Sequence, residues 1–152
     1  MADPRFSEAK LMNPTKALMV TAMLISGSQA VGASNVPSGL DAARKDLALA
    51  VQARDLKRIV ALADFPLAVE GFGAAPTITA QQFLTDKRKF DDLFGPPDAG
   101  IVGCIRGEAL QRQDDEKSFG HGFWYIDCNG NEFFFTVRGG KWLFVGYENI
   151  NE

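Results

Sequence analysis

The side chains with the most to offer chemically are few: Arg106 and Glu108, the carboxylates Glu70 and Asp127, the phenol of Tyr125, the single histidine His121, and the cysteines Cys104 and Cys128. An arginine beside a glutamate, walled by aromatic rings, suits a small apolar or anionic ligand, because a guanidinium forks onto a carboxylate and rings stack on a flat group. A carboxylate in an apolar pocket, with a phenol to hold an oxyanion, suits acid/base chemistry instead. With one histidine and no carboxylate pair at helical spacing, the sequence predicts no metal site, and nothing in it asks for a cofactor. Neither a Ser-centred nucleophile elbow nor a phosphate-binding glycine loop is present. His121 lies between two glycines and reads as a loop residue in preference to a catalytic one.

Positioning these groups falls to the stretch from Gly120 to Glu148. Asn129-Gly130 and Gly139-Gly140 reach positive φ cheaply, as two-residue hairpins require, so the stretch predicts a three-stranded antiparallel meander. The turns set the register: Ile126 faces Phe133, Trp124 faces Phe135, Val137 faces Trp142 and Phe135 faces Phe144. Side chains alternate across a strand, so one face carries Trp124, Ile126, Phe133, Phe135, Val137, Trp142 and Phe144. The opposite face carries Phe123, Tyr125, Asp127, Phe134, Leu143, Val145 and Tyr147.

Residues 101–111 alternate imperfectly and read as a preceding strand, joined to the meander by the charged turn at 112–118. That strand brings Cys104, Arg106 and Glu108 onto the first face and sets Cys104 opposite Cys128. The expectation is a cross-strand disulfide, with two buried free thiols as the alternative. The candidate ligand site is therefore Arg106, Glu108, Trp124, Phe135, Trp142 and Phe144. Its plain alternative is an Arg106–Glu108 pair at the sheet edge above an ordinary aromatic core. Asp127 and Tyr125 fall on the face away from Glu108, which argues against convergence on one substrate. Phe123, Tyr125, Phe134, Leu143, Val145 and Tyr147 together form an apolar surface larger than monomers commonly expose, so a second copy or another protein is expected to cover it.

Upstream, apolar residues at helical spacing predict a helix over 40–53 and a second, capped by Asp55, that ends before Pro66. A short extended segment follows at 66–72. Thr79 and Gln82 fit a capping box for a third helix running to Phe94, where Gly95-Pro96-Pro97 stops it. Helices followed by strands argue an α+β class, with three helices packed on a mainly antiparallel sheet of four to five strands.

The chain has 152 residues, is 46% hydrophobic and 23% charged, and carries a formal charge of −3, which fits one globular domain. So small a charge, with no basic run interleaved with aromatics, excludes nucleic acid as a partner. Lys16, the apolar run 17–25 and the small residues up to Ala33 describe a secretory signal peptide, with a buried N-terminal helix as the alternative; Met12 is a natural start, and residues 1–11 are then an upstream in-frame extension or an added segment. The expected organisation is a leader over 1–33, a linker over 34–39 and a domain over 40–152, exported to the periplasm or beyond, with no membrane span once the leader is removed.

Two segments carry a resemblance. Residues 53–67, ARDLKRIVALADFPL, look like the second-helix segment of the NTF2-like (cystatin-like α+β) superfamily, and residues 139–149, GGKWLFVGYEN, look like its final strand. The resemblance covers nearly the whole domain. It implies three helices across the concave face of a strongly bent sheet, enclosing a conical pocket lined by the face that bears Trp124, Phe135, Trp142 and Phe144. The superfamily includes isomerases, dehydratases and epoxide hydrolases as well as transport factors, so the fold alone does not settle function. The residues favour a binding domain. An exported inhibitor or immunity-type protein is one alternative, and an acid/base enzyme is another.

Overall fold

The structure, a computed structural model, describes residues 36–69, 76–113 and 122–151. Every described element belongs to one compact unit, Ala33–Glu152. The leader, Glu70, His121 and most of the charged turn lie outside the described residues.

Among the described residues, five helices and six strands alternate in blocks: α1 (Leu40–Gln52), α2 (Leu56–Ala61), β1 (Ala63–Val69), β2 (Thr77–Ile78), α3 (Ala80–Thr85), α4 (Lys87–Phe94), α5 (Ile101–Gly107), β3 (Gln111–Gln113), β4 (Phe123–Asp127), β5 (Asn131–Arg138) and β6 (Lys141–Asn149). The class is α+β. The strands form one sheet in the order β2-β1-β6-β5-β4-β3, antiparallel except for the β1–β6 pair. It is thus a mixed, six-stranded sheet, wider than the sequence predicts, because β1 inserts beside β6 and carries β2 on its outer edge.

Local signals account for most boundaries. Asp55 accepts a hydrogen bond from the Arg58 amide at the start of α2, and Thr79 and Gln82 form the reciprocal capping box at the start of α3. The expected third helix is broken in two. Asp86 leaves helical geometry (φ −106°, ψ 102°), and its carboxylate caps the Arg88 amide of α4. The second helix also stops earlier than Pro66, at Ala61. The chain then extends through Pro66, whose missing N–H cannot join the ladder, and the β1–β6 register shifts between Ala63 and Ala68.

In the meander the register follows the turns: Trp124 pairs with Phe135, Ile126 with Phe133, Val137 with Trp142 and Phe135 with Phe144. One correction arises further along β6. Phe134 pairs with Gly146 while Phe135 pairs with Phe144, so Val145 is an extra residue in a bulge. That single insertion returns Tyr147 to the other face. It is buried in the main core, its ring 5.4 Å from that of Phe133.

A second correction concerns residues 101–111. They form α5 and a short connection to β3, not a strand. A short apolar run fits a helix or a strand equally by pattern, and packing decides. Here Ile105 is fully buried, Ile101 and Val102 pack on the same core, and α5 lies against α1. Arg44 of α1 closes the helix end, its guanidinium donating to the carbonyls of Ile105 (3.3 Å) and Glu108 (2.7 Å). Cys104 and Cys128 are bonded, with Cα atoms 5.8 Å apart, but the bridge ties α5 to the end of β4 and is not cross-strand.

The main core lies between the helices and one face of the sheet. Leu40, Leu47, Ile59, Phe83, Phe90, Phe94 and Ile105 meet Trp124, Ile126, Phe133, Phe135, Phe144 and Tyr147 there. A chain of ring contacts runs through it, from Phe65 to Phe83, Phe90 and Phe94, then to Phe133 and Phe144 on the sheet, with centroids 5.3 to 6.4 Å apart.

Candidate functional site

The residues expected to line a ligand pocket divide between the core and the surface. Trp124, Phe135 and Phe144 are buried beneath the helices, where they contribute apolar burial to the core. Half-buried Trp142 packs at the margin and donates its indole N–H to the Ser38 carbonyl (3.2 Å). Arg106 and Glu108, displaced by the helical course of α5, are both exposed. Glu108 lines a surface depression with Asp41 and Arg44 rather than with the aromatic rings.

On the far side of the sheet, Ala68, Phe134 and Val145 form a second buried cluster, with Phe123 and Tyr125 half-buried against it. The Tyr125 and Phe134 rings stack at 5.5 Å. Leu143 is half-buried, and Tyr147 has left this face through the bulge. The centre of the expected interface, Phe134 and Val145, is thus buried.

Of the acid/base candidates within the described residues, Glu108 is exposed, while Asp127 and Tyr125 are engaged structurally. Asp127 accepts the Gly130 amide at 2.7 Å, closing the Asn129-Gly130 turn, and the Tyr125 hydroxyl donates to Gln111 at 2.9 Å. Among the described residues, no group of three or more His, Cys, Asp or Glu side chains could hold a metal ion, and no helix is long and apolar enough to cross a membrane.

What the helices do assemble is a cleft of about 210 Å³ between the end of α1, the end of α4 and the start of α5. Its walls are mainly apolar: Val51, Phe90, Phe94, Pro96, Pro97, Ile101 and Val102, with Gln52 and Arg54 at the polar margin. Each wall has a local cause. Gly95 ends α4 at φ 67°, the two prolines cannot continue a helix, and Gly100 at φ 75° starts α5, so the chain turns around the opening. Phe94 forms the floor and stacks on Phe133 of the sheet, with centroids 5.9 Å apart.

Arg54 occupies the rim. It follows α1 in the left-handed region, φ 50°, at a position that favours glycine. Two backbone bonds hold it there, Arg54 N–H to Val51 O (3.0 Å) and Asp55 N–H to Ala50 O (2.9 Å). The guanidinium lies over the Phe90 ring, 4.5 Å from its centroid, and pairs with Asp91. A second opening, about 260 Å³, lies beyond this ring and is lined by Arg54, Leu56, Lys87, Phe90 and Asp91.

Arg54 escaped sequence reading because nothing local distinguishes it from other surface arginines. The one available signal was the absence of glycine where α1 ends and α2 begins. Pro96 and Pro97 were legible only as a helix stop.

No protein-family model matches the chain, and no curated protein matches it.

Proposed function

We propose that this chain is an exported, NTF2-like binding domain that holds a small apolar ligand in the cleft between α1, α4 and α5. The observation that carries the reading is that cleft itself, an apolar opening floored by Phe94 and walled by side chains from three helices and a proline turn. Its volume is below the roughly 300 to 1,000 Å³ of sites for drug-sized molecules, so a short chain or a single ring fits the reading. The helix-then-strand order supports the NTF2-like assignment, and the Cys104–Cys128 bridge supports an oxidising, exported setting. Binding is favoured over acid/base catalysis because Asp127 and Tyr125 are committed to other hydrogen bonds and Glu108 is exposed, without the apolar surroundings that such chemistry asks of a carboxylate.

The test is a methyl NMR titration of the folded chain with octanamide, an uncharged probe with a short apolar body. Shifts confined to the methyls of Val51, Ile101 and Val102, lost in Val102→Trp, are expected. Unmoved methyls up to the solubility limit of the probe would overturn the reading.

A further inference from the structure

The cleft's rim narrows the chemistry of its ligand, on the premise that the cleft is the binding site. We propose that the ligand is a monocarboxylate with a short apolar body, its carboxylate held by the Arg54 guanidinium with Lys87 alongside.

Three observations lead there. First, the two openings share Arg54 and Phe90, so an apolar compartment and a charged one adjoin across a single ring. The charged one is lined by two cations, Arg54 and Lys87, against one carboxylate, Asp91. Among the described residues Lys87 makes no ion pair. Second, the Arg54–Asp91 pair is exposed, with 47% and 53% of the two side-chain surfaces open to solvent. Such a pair is weak, and an incoming carboxylate can take Asp91's place on the guanidinium at little cost. Third, Arg54 sits where glycine would relieve the backbone. A bulky residue kept at a left-handed position points to a use for its side chain.

Together these describe a socket. The guanidinium, oriented by the Phe90 face, offers two parallel N–H groups to a carboxylate, and the apolar body lies past Phe90 toward Phe94, Ile101 and Val102. Asp91 stays at the rim and repels a second negative charge, so a monoanion is preferred to a phosphate monoester or a dicarboxylate.

The deciding experiment compares octanoate with octanamide by calorimetric titration at low ionic strength. Octanoate is expected to bind about two- to fivefold more tightly, the scale of an exposed ion pair. Arg54→Gly should erase that difference, octanoate losing its advantage over octanamide within the same variant, while melting at the same or a higher temperature. Asp91→Asn, which removes the internal competitor, should strengthen octanoate binding severalfold. Equal affinity for the two probes, or a difference that survives Arg54→Gly, would overturn the assignment of charge and leave the cleft reading standing. Failure of both probes to bind would remove the cleft reading, and this inference with it.

Discussion

Two arginines ten positions apart, Arg44 within α1 and Arg54 just beyond it, have opposite environments. The Arg44 side chain is 12% exposed and its donors are committed to the Asp41 carboxylate and to the carbonyls of Ile105 and Glu108, so it fastens α5 to α1. Arg54 is about half exposed, lies on an aromatic face and touches one surface carboxylate. A guanidinium saturated by fixed backbone acceptors is structural, since exchanging a partner would strand a carbonyl. One that borrows an exposed side chain beside an apolar opening is free to trade it. Residue type is the same in both regions, and the difference lies in what the neighbouring elements present.

The comparison can be broken hardest on the Arg44 side. The Cys104–Cys128 bridge, with a sequence separation of 24, tethers the same helix that Arg44 closes. Replacing both cysteines by alanine should cost about 3 kcal/mol from loop closure, measured by urea denaturation, and should loosen amide exchange in α5 before that in the meander. Arg44→Met should cost about 2 kcal/mol by the same measurement, because the Ile105 carbonyl loses its partner in a half-buried place. If Arg44→Met proves neutral, the two arginines do not differ as described.

On the other side the sign should reverse. Arg54→Gly is expected to stabilise by about 0.5 to 1 kcal/mol, as a residue relieved of positive φ gains more than an exposed ion pair contributes. A clear loss of stability would show that the Phe90 and Asp91 contacts hold the fold after all. The smallest effect sharpens the contrast by pH. The Lys45 and Arg44 side chains hold the Asp41 carboxyl below its ordinary 3.8. A carboxylate with a lowered folded pKa adds stability above the unfolded value and loses it as pH falls through the folded one. Asp41→Asn should therefore flatten the stability profile slightly below pH 3.8, read from urea midpoints at successive acid pH values. The flattening will be partial, since Asp86, lowered by Arg88, titrates in the same window.

Legibility followed the range of the interactions concerned. The meander's pairing through Trp124, Phe135 and Phe144 was readable because paired turn residues and a period of two are local properties. The Thr79 and Asp55 caps were readable for the same reason. Gly146 inside β6 marks the bulge, and the bulge, which alternation alone does not show, turns Tyr147 to the core face. Arg106 and Glu108 were misplaced because IVGCIRG carries no period strong enough to exclude either conformation.

From the chain alone came the α+β class and the meander's register up to the bulge, consequences of element order, turn chemistry and alternation over a few residues. The two cysteines do pair, but from a helix and not from the strand that the alternation over 101–111 suggests. The course of 101–107, the gathering of Arg54, Phe90 and Pro97 around one opening, and the contrast between two chemically identical arginines came only with tertiary packing. Those depend on which distant surfaces meet, and contacts between residues 37 or more positions apart, such as Arg54 with Asp91, leave no mark on local sequence.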